Sequence, residues 1–184
     1  MRKIISAFNI TLDGYCQHTA GMVDAEIHEY YNDLLRQADT MIWGRTTYQL
    51  MEGFWPEQVV HPSGDKAQDD FAVLIDGMRK IVYSRTLDAV RWKNSELRNE
   101  LLADEILALK AQEGKNILVG SRSLITEFTK LGLIDEYRLL IHPTFVGGGL
   151  KFLEGLDQKV DLTLTATKTF AIGSIMLHYT PRQK

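Results

Sequence analysis

Arginines and hydroxyl residues fall together at three places in this chain where an anionic ligand can be held. Gly44-Arg45-Thr46-Thr47-Tyr48, Ser84-Arg85-Thr86 and Gly120-Ser121-Arg122-Ser123 each set an arginine beside hydroxyls, and two of them add a glycine. A guanidinium presents a fork of donors that matches phosphate oxygens. Hydroxyls and first-turn amides donate to the same oxygens, and glycine lets the backbone approach closely. Taken singly, each cluster has an ordinary reading: Gly44 ends a strand, Arg45 pairs with a surface carboxylate, Ser121 or Ser123 caps a helix. Their recurrence after successive strands points to one ligand with several phosphates.

Trp43, Tyr48, Phe54 and Trp55 lie close in sequence to the first cluster. Flat aromatic walls suit a planar heterocycle, and core packing is the equal alternative. Other chemistries lack their residues. There is no G-x-G-x-x-G after the first strand and no G-x-x-x-x-G-K-[ST]. A G-x-S-x-G elbow is absent too. The histidines (His18, His28, His61, His142, His178) are scattered without H-x-x-x-H spacing, so no metal site is expected. Gly147-Gly148-Gly149 reads as a bulge, a turn or a close approach to substrate. Cys16 is the single cysteine, which excludes an internal disulfide; it reads as a packed spectator.

The elements that must carry these residues alternate strand and helix, the pattern of an α/β sheet with helices on its faces. Strands are predicted at Lys3–Asn9, Thr40–Trp43, Lys80–Ser84, Asn116–Gly120 and Glu136–Thr144. Two more, at Asp161–Lys168 and Ser174–Thr180, read as an antiparallel hairpin turning near Gly173. Apolar residues at helical spacing mark four helices: Ile27 to Leu35 behind an Asp24 N-cap, Phe71 to Met78, Leu102 to Leu109 ended by Gly114, and Leu124 to Leu131 ended by Gly132. The stretch from Gly53 to Lys66, with Trp55-Pro56 and His61-Pro62, reads as irregular.

At 184 residues the chain is expected to form one domain over 1–184. A net charge of −3 gives no reason to expect nucleic acid or an anionic membrane surface, so any anion site must be local. No apolar run is long enough for a signal peptide or a span, and a cytoplasmic location is expected.

The blocks ISAFNITLDGY, MIWGRTTYQLMEGFWP, IVYSRTL and ILVGSRSLITEFTKLGLIDEYRLLIHPTFVGGGLKFLEGL give the chain its family likeness. It resembles the dihydrofolate reductase superfamily, in the bacterial branch that shares its fold with the reductase domain of the riboflavin-biosynthesis deaminase–reductase. The resemblance implies a three-layer fold with a mostly parallel central sheet and a C-terminal antiparallel hairpin. It implies NADP(H), with Gly44, Arg45, Thr46, Ser84, Arg85 and Thr86 on the 2′-phosphate side. Gly120 and Ser121 then face the pyrophosphate, followed by Arg122, Ser123 and Leu124, while Ala7 and the Leu12-Asp13-Gly14 turn lie at the nicotinamide. Ser121 stands where the family has a second glycine, and a positive φ there would be strained. Hydride transfer to a C=N carbon is helped by a proton donor. Asp13, Asp24, Glu26 and His28 are the candidates; Asp24 also reads as a helix cap, and Glu26 as a residue suited to the helix dipole. The implied activity is reduction of a small heterocycle or sugar imine by a homodimer, with an NADP(H)-binding module without turnover as the alternative. A phosphate-ligand binder that ignores the nicotinamide half is a further possibility.

Overall fold

The computed structural model describes residues 1–17, 19 and 21–182. Its elements run β1 (Ile4–Thr11), α1 (Ala25–Arg36), β2 (Ala38–Gly44), α2 (Arg45–Glu52), α3 (Trp55–Val60), α4 (Lys66–Gly77) and β3 (Arg79–Tyr83). They continue with β4 (Ser95–Arg98), α5 (Ala103–Ala111), β5 (Asn116–Val119), α6 (Arg122–Lys130), β6 (Glu136–His142), β7 (Leu162–Thr169) and β8 (Ile175–Pro181). The class is α/β, mostly parallel with antiparallel C-terminal strands, as the alternation predicts. The chain divides into two compact units, Met1–Arg2 with Val23–Leu118 and Lys3–Met22 with Val119–Lys184.

In the first unit the strands lie in the order β4-β3-β2-β5. β2 and β3 are parallel, with Gly44 opposite Tyr83, and β3 and β4 are parallel as well. Helix α1 starts where expected: the Asp24 carboxylate accepts from Ile27 N at 3.0 Å, and Ile27, Leu34 and Leu35 are buried. Helices α1 and α3 both pack on α4. Arg2 is buried and bridges chain segments, donating to Lys115 O at 2.7 Å and Thr40 Oγ1 at 2.8 Å and pairing with Asp39.

Three parts of this unit differ from the sequence expectation: helix α2, which none of the four predicted helices covers, helix α3 and strand β4. The irregular stretch over 53–66 contains α3, because Pro56 falls in its first turn, where a missing N–H costs no hydrogen bond. The Trp55 ring, 4.5 Å from Phe71, anchors that helix on α4. Strand β4 was not expected, since Ser-Glu-Leu-Arg is short and polar; it is held by pairing with β3.

In the second unit the order is β1-β6-β8-β7. β1 and β6 are parallel from Ile5 opposite Glu136 to Thr11 opposite His142. β8 is antiparallel to β6 and to β7, and the β7–β8 turn closes with Phe170 N donating to Ser174 O at 2.9 Å. A bulge interrupts the β7 ladder between Leu164 and Ala166. Helix α6 stops at Gly132 as predicted, with Leu133 N donating to Phe128 O at 2.9 Å. Thr129 ties it to β6 by accepting from the Tyr137 hydroxyl at 2.9 Å. Among the described residues, no helix is long and apolar enough to cross a membrane.

Lys80 is fully buried in the first unit. Its Nζ donates to Asp76 O at 3.0 Å and Met78 O at 2.9 Å, and it lies 4.2 Å from the centre of the Trp92 ring. Burial pushes its pKa down to about 8, whereas an unfolded lysine titrates near 10.5. Between those values the unfolded chain binds more protons, so this group's contribution to stability rises with pH. The stability difference between the parent and Lys80→Met should therefore move in the parent's favour as pH is raised from about 8 to about 10.5, read by denaturant unfolding.

Candidate functional site

The first unit carries an anion cradle at the level ends of two parallel strands. Gly44 is the N-cap of α2, with φ −86° and ψ 168°, and Arg45 and Thr46 are exposed in the first turn. The register that sets Gly44 opposite Tyr83 brings Ser84-Arg85-Thr86 alongside. Arg45 Nη1 donates to Thr86 Oγ1 at 2.9 Å, joining the two clusters. Ser84 is buried and shapes its own turn, its Oγ accepting from Thr86 N at 3.1 Å and Leu87 N at 3.0 Å. Arg85 is exposed and has no hydrogen-bond or ion-pair partner among the described residues. Two exposed guanidiniums, hydroxyls and the positive end of α2 make a local excess of positive charge that suits a phosphate dianion.

Two turns of the second unit carry other sequence candidates. Gly120 leads into Ser121, the N-cap of α6, whose φ of −121° and ψ of 129° are ordinary extended backbone. The strain anticipated for serine at this position is absent. Ser123 is exposed in the first turn and Leu124 is buried below it. Arg122 Nη1 donates to Lys151 O at 3.1 Å and to Glu154 Oε2 at 2.8 Å. On β1, Ala7 is half-buried opposite Arg138, and the strand ends in the Leu12-Asp13-Gly14 turn, where Gly14 N donates to Thr11 O at 2.9 Å.

That turn is bound to a distant loop through one carboxylate. Asp13 accepts from Thr11 Oγ1 at 2.5 Å, Val146 N at 3.0 Å and Gly147 N at 2.8 Å. Gly147 has φ of +71°, so the glycine triplet is a turn whose amide reaches the carboxylate. Leu12 N donates to Thr144 O at 3.0 Å, Cys16 N to Leu150 O at 2.7 Å, and Phe8 stacks on Phe152. The Thr11 hydroxyl, with the two amides, holds the Asp13 carboxyl below the usual carboxylate range. Through these bonds Asp13 fastens the Leu12–Gly14 turn to the loop after β6.

Other sequence candidates fall as follows. Asp24 is the α1 cap, and Glu26 is half-buried in the first turn of that helix. His28 is half-buried beside Trp55 and Phe71, and burial lowers its pKa. Trp43 and Tyr48, read as possible heterocycle walls, are core residues, 2% and 1% exposed. Trp43 stacks on Trp92, and the Tyr48 hydroxyl accepts from Arg91 N at 3.0 Å and Trp92 N at 2.9 Å while bonding Glu52 at 2.7 Å. Phe54 is exposed and packs edge-on against Trp55. Burial pushes the Cys16 thiol up to about 11, which leaves it a poor nucleophile. No group of three His, Cys, Asp or Glu among the described residues is placed to hold a metal; His18 lies outside those residues.

Comparison with known proteins agrees with this architecture. A family model described as the RibD C-terminal domain matches residues 2–177. The Bacillus subtilis (strain 168) protein YyaP is 32% identical over 182 residues, covering 97% of this chain and 94% of its own. A candidate riboflavin biosynthesis protein of Shewanella sp. PV-4 superposes with a TM-score of 0.75 at 20% identity, covering 100% of both chains. The dihydrofolate reductase of Enterococcus faecalis, solved as a complex with NADP(H), superposes with a TM-score of 0.65 at 14% identity, covering 98% of this chain and 97% of its own. The last two likenesses establish a shared fold.

Asp13→Ala should free the Val146 and Gly147 amides, seen as faster hydrogen exchange at those two positions than in the parent. Because the folded pKa of Asp13 is depressed, its contribution to stability is present above the unfolded value of about 3.8 and is lost as pH falls through the folded value. The stability gap between parent and variant should close as the solution is acidified below about 3.8.

Proposed function

Because this chain belongs to the RibD C-terminal domain family, a family of riboflavin-pathway-type reductases, we propose that it is an NADP(H)-dependent reductase of a small heterocycle or sugar imine. The observation that carries the reading is the Arg45–Thr86 contact, which joins two arginine–hydroxyl turns at the level ends of β2 and β3. NADPH would be favoured over NADH because the extra phosphate is the group that this cradle suits. When bound, the cofactor supplies the hydride.

The family resemblance assigns residues to the parts of the cofactor. Arg45 and Arg85 would pair with the 2′-phosphate, with Thr46, Ser84 and Thr86 adding hydrogen bonds and Gly44 keeping the approach open. Gly120, Ser121 and the first turn of α6 would present amides to the pyrophosphate. Ala7 on β1 and Gly14, in the turn fastened by Asp13, would lie against the nicotinamide. Of the carboxylates weighed for proton delivery, Asp13 and Asp24 are engaged with backbone amides. The same engagement favours one second reading, an NADP(H)-binding module without turnover; sustained loss of NADPH absorbance with any pteridine, pyrimidine or flavin would exclude it.

The decisive measurement is cofactor affinity in parent, Arg45→Ala and Arg85→Ala, read by ligand-induced thermal shift. A charge-assisted hydrogen bond contributes about 1.5–3 kcal/mol. NADPH affinity should thus fall roughly tenfold or more in either variant, with NADH affinity unchanged. Equal NADPH affinity in parent and Arg45→Ala would remove the proposed role.

A further inference from the structure

Tyr48 is 1% exposed on α2, where a phenylalanine ring would fill the same space. Its hydroxyl nevertheless uses its full bonding capacity. It donates to Glu52 Oε1 at 2.7 Å and accepts from Arg91 N at 3.0 Å and Trp92 N at 2.9 Å. Glu52 Oε1 also accepts from Trp92 N, at 3.1 Å.

Both amides belong to one segment. Residues 84–94 join β3 to β4 without helix or strand, and they begin with Ser84-Arg85-Thr86. The near end is fixed by the Ser84 hydroxyl, which holds Thr86 N and Leu87 N. The far end is fixed by Tyr48, by Glu52 and by Trp92, whose indole donates to Asp76 Oδ1 at 2.7 Å and whose ring stacks on Trp43. Arg85 sits exposed between these anchors. Tyr48 stands one turn beyond Arg45 on α2. One helix thus carries the first guanidinium at its start and, a turn later, the hydroxyl that holds the segment bearing the second. The Arg45–Thr86 bond is exposed, so water competes for both groups and it fixes that spacing only loosely.

We propose that Tyr48 is a positioning residue for the phosphate cradle: its hydroxyl clamps the 84–94 segment to α2 and thereby sets the spacing of Arg45 and Arg85 that selects a 2′-phosphorylated cofactor. The role rests on the NADP(H) reading. Two guanidiniums pair with one phosphate only where they converge, so loosening the segment weakens that pairing and leaves the rest of the dinucleotide unaffected. The coupling is reciprocal: a ligand that draws the two arginines together also firms the clamp at Arg91 and Trp92.

The test compares NADPH and NADH affinity, by thermal shift, in the parent, Tyr48→Phe, Arg85→Ala and the double variant. Tyr48→Phe should lower NADPH affinity roughly fivefold and leave NADH affinity at the parent value. In the Arg85→Ala background the same change should cost nothing further, because the arginine through which the hydroxyl acts is gone. A hydroxyl that merely supports the core would lower both cofactors alike or neither, or its effect would add to that of Arg85→Ala. Any of these results overturns the positioning role while leaving the parent's preference for NADPH, and so the cofactor reading, in place. A parent that binds both cofactors equally ends that reading, and the role with it. If Tyr48→Phe does not fold, the parent decides. Adenosine 2′,5′-bisphosphate should then slow hydrogen exchange at the Arg91 and Trp92 amides more than adenosine 5′-monophosphate does, and equal slowing by the two overturns the role.

Discussion

Parallel pairing is the constraint on which the candidate site depends. In a parallel pair both strands stop on the same side, so the turns that follow them become neighbours without a further device. Gly44 opposite Tyr83 brings the start of α2 level with the Ser84–Thr86 turn. Thr11 opposite His142 does the same for the Leu12–Gly14 turn and the loop after β6. A one-residue slip in either pair would exchange the faces of every side chain along it, burying the wrong groups.

The distribution of charge follows from this arrangement. Several acids face inward onto the chain's own donors: Asp13 onto two loop amides, Asp24 onto the first turn of α1, Asp76 onto the Trp92 indole at 2.7 Å. Arg45 and Arg85 are left at the surface. A chain with a net charge of −3 still holds a positive patch where two exposed arginines stand beside hydroxyls. The anion preference is local, and bulk charge carries no information about it.

Most strands were legible because apolar runs between turn residues leave few alternatives, and α1 because Asp24 precedes a clean helical face. The arginine clusters were legible as strand-end composition. Contacts made across long sequence separations were not. Nothing beside Asp13 announces Val146 and Gly147, and nothing beside Arg122 announces Lys151 and Glu154. Pro56 misled in the opposite way, since a proline that breaks a helix interior is accepted in a first turn. Trp43 and Tyr48 took the core alternative because β2 and α2 turn those rings toward Trp92.

The place of β1 has a consequence for biogenesis. This strand is made before residues 23–118 of the first unit, yet its partner β6 begins at Glu136, after all of that unit. Until then Ile4 and Ile5, both fully buried at the end, wait without their neighbour. Closing so long a loop makes assembly of the second unit slow, and the waiting strand is open to mispairing. Chaperone demand during synthesis would fall on this segment, while the first unit, apart from Met1–Arg2, is drawn from one continuous run of chain.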